Sequence, residues 1–240
     1  MTTTNVSLNR RRDGSILLFA LVFPTLVTVV YFILLAGYPA AFQQAAYAVG
    51  KFIQFLFPAV WIARYQPALI GWRRPRRTEM LHGAGLGLAL LASALALYHF
   101  GLKPAGVFVN AIGAVRHKVE GIGVASAPRY AALAVFYSLV HSLLEEYYWR
   151  WFVFGQLRRL TSLPRAIAGS SLGFMAHHVC IVSVFFGWFS PASILLSLAV
   201  AAGGAIWAWF YERTGSLVGP WISHALVDAA IFIVGYDLVM

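Results

Sequence analysis

Seven long runs of apolar residues constrain this chain more than any other feature of its sequence. They cover residues 16–35, 45–63, 80–100, 130–152, 166–186, 194–210 and 217–239. About 20 apolar residues in a helix are enough to cross the hydrocarbon core of a membrane. The chain is 60% hydrophobic and 11% charged, which excludes a soluble domain and a disordered chain. The sequence therefore predicts an all-α membrane helix bundle with about seven transmembrane helices.

The basic residues predict how these spans are oriented. The chain has 18 Lys and Arg against 8 Asp and Glu, and the clustered arginines are at positions 10–12, 64, 73, 74, 76, 77, 158, 159, 165 and 213. All of them fall on one side if the seven runs are threaded through the membrane in order. The positive-inside rule makes this the cytoplasmic side, so we expect a cytoplasmic N-terminus. Membrane lipid, and not nucleic acid, is the expected partner of this charge.

The predicted organisation is a single transmembrane domain over residues 1–240, in which residues 1–129 contain three spans and a long connecting segment. In this segment, residues 101–129, apolar side chains recur every three or four residues, at Phe108, Ile112, Val115, Val119 and Ile122. The pattern predicts an amphipathic helix on the membrane surface, and an ordinary helical loop is the alternative. The second span is the least apolar, and its Lys51 is expected to extend towards an interface.

Charged residues inside the fourth run indicate a functional site. A charge at the centre of a bilayer costs about 2.5–3.5 kcal/mol and usually faces the interior of a bundle. Glu146 and Arg150 are four residues apart and can pair on one helical face. Glu145 is rotated about 100° from Glu146 and shares its face with His141 and Trp149. We therefore predict that one carboxylate is held by the arginine while the other projects into a different groove.

The fifth and seventh runs add histidines at a comparable depth. Phe174 and His178 share one face, as do His224 and Asp228. An acid one turn from a histidine can fix its tautomer, or it can present a second polar group beside the ring. Helix rise places Glu145 and both histidines about 10–18 Å from the same interface. The convergence of several costly polar groups predicts one functional site within the membrane.

Taken in order, the motifs Glu145-Glu146-x-x-x-Arg150, Phe174-x-x-x-His178 and His224-x-x-x-Asp228 resemble those of the CAAX protease and bacteriocin-processing (CPBP, or ABI) family of intramembrane endopeptidases. The resemblance covers about residues 130–239, the motif-bearing part of the domain. It implies a conical cavity open to the cytoplasmic side. It also implies hydrolysis of a peptide bond in a membrane-anchored protein or peptide, either a CAAX-type substrate or one of a bacterial sorting or processing system. For this chain we expect a location in a bacterial inner membrane.

The resemblance also implies a role for each catalytic residue. Glu145 is the general base that activates water, and His178 positions that water. His224 and Asp228, in the last motif, bind the developing oxyanion. Glu146 and Arg150 form the pair that holds the helix. The family often has Asn at the position of Asp228. Because an ionised Asp cannot donate a hydrogen bond, Asp228 is expected to be protonated, bridged by water or confined to orienting His224.

Several alternatives stay open at this point. Candidate substrate contacts are the side chains beside the catalytic groups, Phe174, Trp149 and His141. Two histidines and a carboxylate could ligate zinc, but the sequence has no H-E-x-x-H motif and the glutamate mechanism needs no ion. We therefore assign no metal ligand and leave the cofactor unknown. The alternative functions are a non-catalytic immunity or scaffold protein that uses the same pocket for binding, and a proton-coupled transporter.

Overall fold

The computed structural model describes residues 10–67 and 73–240, and the regular secondary structure of these residues is helical. Two parts of the predicted domain, residues 1–9 and 68–72, lie outside the described residues. The side chain of Arg10, from the first arginine cluster, lies outside them as well. The helices are α1 (residues 10–34), α2 (Ala40–Tyr65), α3 (Arg77–Leu102), α4 (Ile112–Gly121), α5 (residues 127–160), α6 (Leu163–Phe186), α7 (Pro191–Thr214) and α8 (Val218–Val239).

Six of these helices are long and apolar enough to cross a membrane, namely α1, α2, α3, α6, α7 and α8. They coincide with six of the seven apolar runs, so the predicted polytopic helix bundle is confirmed. Large apolar side chains are exposed on their outer faces, as Leu18, Phe52 and Leu97 illustrate. An apolar outer surface of this extent is typical of contact with lipid. The protein is therefore an integral, multi-pass membrane protein.

The run at residues 130–152, which was predicted as a further span, is not among these six helices. It carries three charged side chains, Glu145, Glu146 and Arg150, and it lies in α5, in which α-helical and π-helical turns alternate. The π-helical segments are Phe136–His141 and Tyr147–Phe154. Four aromatic side chains of the second segment, Tyr148, Trp149, Phe152 and Phe154, are buried in the bundle. Because this part of α5 is enclosed by protein, it can carry charges that a helix facing lipid could not.

Polar contacts join the helix ends at the two ends of the bundle. Gln156 near the end of α5 donates to Gln66 after α2 at 2.7 Å, and Arg158 pairs with Glu212 of α7 at 3.0 Å. At the start of α5, the Tyr130 hydroxyl donates to the carbonyl of Phe232, late in α8. Helix α5 therefore runs from one end of the bundle to the other. We call the end that holds Gln66, Gln156 and Arg158 the arginine end.

The predicted surface helix is present in a shorter form. Of residues 101–129, Ile112–Gly121 form α4, and turns occupy most of the segment before it. Ile112, Val115 and Val119 are partly buried on one face, while Arg116 and Glu120 are exposed. Helix α4 is thus amphipathic, and its position on the membrane surface stays a prediction.

Helices α3 and α8 pack in direct backbone contact through two glycines. A Cβ atom on Gly83 would lie 2.5 Å from the carbonyl oxygen of Gly219, and one on Gly87 would lie 2.8 Å from Cα of Ser223. Small residues four apart allow membrane helices to approach closely. This packing fixes the position of α8, which carries His224.

Candidate active site

Glu145 lies among imidazoles that come from three helices. Its side chain is 4% exposed, and Oε1 is 3.5 Å from Nε2 of His177 on α6. Oε2 is 3.7 Å from Nε2 of His224 on α8 and 3.9 Å from Nδ1 of His141 on α5. These distances exceed those of ordinary direct hydrogen bonds, and polar groups at such separations are commonly bridged by water. The arrangement is suited to holding a water molecule against one carboxylate.

Glu146, the next residue, has different surroundings. Its Oε1 accepts a hydrogen bond from Nδ1 of His224 at 2.8 Å, and its Oε2 is 3.1 Å from Nε of Arg150. Since a carboxylate only accepts hydrogen bonds, the Nδ1 atom of His224 carries a proton. The structure thus contains the predicted pair of Glu146 and Arg150. It also adds a contact between helices that spacing along one helix could not indicate.

The sequence left two roles open for Asp228: to fix the tautomer of His224, or to present a second polar group beside its ring. The Oδ1 atom of Asp228 is 3.6 Å from Nε2, whereas Glu146 makes the close contact at Nδ1. Glu146 therefore fixes the tautomer of His224. Asp228 lies beside the nitrogen that faces Glu145.

Two adjacent histidines of α6 approach Glu145. The Nδ1–H of His178 donates to the backbone carbonyl of Phe174 at 2.9 Å, which leaves Nε2 for the site. His177 is stacked parallel to Trp149, with ring centroids 5.7 Å apart. The spacing from Phe174 predicted His178 alone, but the structure also brings His177 to the carboxylate. In the sequence, the only sign of this contact was that a second histidine, His177, directly precedes His178.

Two of the three candidate substrate contacts are buried. Trp149 and Phe174 are 0% and 2% exposed. Trp149 packs on His177, and the Phe174 ring lies 4.7 Å from that of His178. These large aromatic side chains fill the centre of the bundle, so they support imidazoles and do not present a surface to a substrate. His141 is partly exposed and is the candidate that a substrate could reach.

The buried charge of Arg150 is enclosed by aromatic rings. Its Cζ atom lies 4.8 Å from the ring centroid of Phe174 and 5.2 Å from that of Trp207. Aromatic faces attract a guanidinium group, which partly replaces the water it has lost. Trp207 also stacks on His224 with centroids 4.1 Å apart and donates from Nε1 to Ser223 at 2.8 Å. Sequence reasoning missed Trp207 because nothing in its local pattern distinguishes it from other membrane tryptophans.

The same cluster contains atoms that could hold a metal ion. One ligand atom each from Glu145, His177 and His178 lies within 4.8 Å of the other two. Two histidines and a glutamate are a ligand set found in catalytic zinc sites. The donor atoms of Glu145, His177 and His178 are therefore of the kind and spacing that would hold a zinc ion.

A groove of about 540 Å³ approaches the site between α2 and α5. We call it the α2–α5 groove, and its lining includes Tyr47, Lys51, Phe55, Phe136, Tyr137 and His141. His141 connects the groove to the carboxylate of Glu145. The groove provides an apolar path to the cluster, and the opening of a cavity towards the cytoplasmic side stays a prediction.

Comparison with known families gives one match. Residues 127–230 match the family model described as "Rce1-like: Type II CAAX prenyl endopeptidase Rce1-like". No curated protein and no solved structure matches the chain. The matched segment begins with α5, ends within α8 and includes all three motifs, which confirms the resemblance found in the sequence. Residues 127–230 of this chain are thus similar to the type II CAAX prenyl endopeptidases described by that family model.

Proposed function

We propose that this protein is an intramembrane endopeptidase that hydrolyses a CAAX-type, membrane-anchored protein or peptide with a water molecule activated by Glu145. One observation carries the proposal. A single carboxylate inside the bundle faces His141, His177 and His224, and it does so in the segment that matches a protease family.

Glu145 acts first as a general base in this scheme. It takes a proton from water, and the water oxygen forms a bond to the carbonyl carbon of the scissile peptide. Nε2 of His178 helps to hold the water, because its other ring nitrogen is occupied by the carbonyl of Phe174. The carbon–nitrogen bond then breaks, and Glu145 returns its proton to the leaving amine. The reaction consumes one water molecule, and its atoms and charges balance without a cofactor.

His224 stabilises the negative charge that develops on the carbonyl oxygen. Glu146 holds its Nδ1–H at 2.8 Å, so the ring is fixed with Nε2 towards Glu145. In the imidazolium form Nε2 also carries a proton, and this N–H group donates a hydrogen bond to the oxyanion. Asp228 lies 3.6 Å from Nε2 and is a second polar group beside the ring.

The decisive variant is Glu145→Gln, which keeps the size of the side chain and removes the base. We expect it to abolish cleavage of a farnesylated peptide that ends in a CAAX sequence, with the purified protein in lipid nanodiscs. Mass spectrometry of the released C-terminal fragment measures the reaction. The folded yield should be unchanged, since no hydrogen bond of ordinary length holds the Glu145 carboxylate.

Glu120→Gln is the matched control because Glu120 is exposed on α4, away from the site. It should cleave the peptide at the parental rate. An active Glu145→Gln protein would refute the assignment of the base. A cellular phenotype that survives both Glu145→Gln and His178→Ala would favour a non-catalytic binding function for the same pocket.

A further inference from the structure

Lys51 places a positive charge near the middle of α2. It lies 11 residues after Ala40 and 14 before Tyr65, or about 16 Å and about 21 Å from the two helix ends. Its side chain lines the α2–α5 groove, and its extension towards an interface stays a prediction.

Aromatic rings are the neighbours of this charge. Nζ lies 5.5 Å from the ring centroid of Tyr47 and 5.4 Å from that of Phe55, one turn away on either side. Within residues 10–67 and 73–240, no carboxylate forms an ion pair with Lys51. A charged side chain at membrane depth usually faces a partner or a functional pathway. The groove is thus equipped to receive an anion.

The groove connects this charge to the proposed base. The rings of Phe55 and His141 are 6.2 Å apart between centroids, and His141 lies 3.9 Å from Glu145. Two side chains, those of Phe55 and His141, therefore link Lys51 to the base. An extended peptide advances about 3.3–3.6 Å per residue, so a few residues cover this path. A peptide cut at Glu145 can place its C-terminus near Lys51.

The depth of Lys51 decides which anion is available. Lipid phosphates lie at the surface of a hydrocarbon core about 30 Å thick, and Lys51 lies about 9 Å inside the apolar run 45–63. The α-carboxylate of a peptide substrate travels with the substrate and is not limited to that surface. The rest of the groove is mainly apolar, which suits apolar side chains before the C-terminus.

We propose that Lys51 binds the free α-carboxylate of the substrate and thereby selects peptides that are cut close to a free C-terminus. The inference rests on the proposed endopeptidase function. It adds a residue outside the matched segment, on α2, that determines which substrates are accepted.

The test compares two probes that differ only at this group: a farnesylated CAAX peptide with a free C-terminal carboxylate, and its C-terminal amide. Binding is measured in nanodiscs with the Glu145→Gln protein, so that cleavage does not interfere. We expect the acid to bind at least about tenfold more tightly than the amide. Adding Lys51→Met should weaken binding of the acid to the level of the amide and leave binding of the amide unchanged.

Two further variants serve as controls. Lys51→Arg keeps the charge and should retain the preference for the acid. Lys118→Met removes another lysine that is packed on an aromatic ring, with Nζ 3.9 Å from the ring centroid of Tyr31, outside the groove. It should change neither binding constant. In protein with Glu145 intact, Lys51→Met should reduce kcat/KM for the acid peptide only.

The outcomes separate the two proposals. Equal binding of acid and amide to the protein that retains Lys51 overturns the inference, even if Lys51→Met cannot be purified. A Lys51→Met protein that binds both probes more weakly, with their ratio preserved, also overturns it, since the lysine then has a structural role. A preference for the acid without cleavage by the intact protein supports the inference and refutes the endopeptidase. Cleavage without a preference for the acid supports the endopeptidase and overturns the inference about Lys51.

Discussion

Glu145 and Glu146 are neighbours in the chain whose surroundings separate their roles. Glu146 is held by His224 and Arg150, whereas Glu145 faces imidazoles at longer distances. Neutralising Glu146 should therefore affect folding, and neutralising Glu145 should affect chemistry. Rotation of about 100° between consecutive helical residues was enough to predict that the two carboxylates point differently.

The pair of Glu146 and Arg150 gives a prediction about stability. Glu146→Gln leaves the enclosed guanidinium of Arg150 without its counter-charge, and breaking a buried ion pair costs about 3–5 kcal/mol. We expect a clear fall in Tm, measured by thermal unfolding in detergent. Glu145→Gln should leave Tm nearly unchanged under the same conditions.

The double variant Glu146→Gln/Arg150→Met provides the control for this pair. Removing both charges should recover part of the loss, so the two effects should not add. Additive losses would show that Glu146 and Arg150 do not interact in the folded protein.

At the scale of single elements, α5 shows where reasoning from helical spacing succeeds and where it ends. Spacing along the helix identified the contact of Glu146 with Arg150. It did not indicate the π-helical segments on either side of Ser142–Glu146, because a change of hydrogen-bond register leaves no periodic pattern in the residues. Such segments often occur at functional sites. Contacts between helices, such as that of Glu146 with His224, depend on packing that no single helix encodes.

The packing of α3 against α8 gives a prediction for one element. In Gly87→Val, the new side chain meets Cα of Ser223, next to His224. Overpacking of this kind typically costs about 1–3 kcal/mol. We expect a lower Tm and at least about a tenfold loss of kcat/KM, because a displaced α8 moves His224 away from Glu145. Thermal unfolding and the peptide assay measure the two effects.

Gly85→Val is the matched control on the same helix. A Cβ atom at Gly85 has no neighbour within 4 Å among the described residues. This substitution should leave both stability and activity close to those of the parent. Equal damage from the two substitutions would point to a loss of helix flexibility rather than to the contact with α8.

At the scale of the whole molecule, composition predicted most of the architecture. Hydropathy identified six helices because a lipid-facing helix must be apolar along its length. It could not show that α5 is central, since the enclosure of α5 depends on its neighbours. The position of Lys51 in the α2–α5 groove could not be predicted for a related reason: it depends on how α2 packs against α5.

The orientation of the bundle is tested by accessibility of introduced cysteines, in protein whose single natural cysteine is replaced by Cys180→Ser. Ser162 lies just after α5 at the arginine end, and Glu120 lies on α4; both are exposed. We expect a membrane-impermeant maleimide to label Glu120→Cys in intact cells and Ser162→Cys only after permeabilisation, because the arginine end is predicted to face the cytoplasm. The reverse pattern would invert the topology.

The central position of α5 has a consequence for how the protein is made. A segment that carries Glu145, Glu146 and Arg150 partitions poorly into lipid by itself, and the helices that surround these residues include α6, α7 and α8, which are synthesised later. Stable insertion of α5 must therefore wait for them. Biogenesis of the second half of this protein is a concerted event, and a nascent chain that stops after α5 leaves a segment for quality control to recognise.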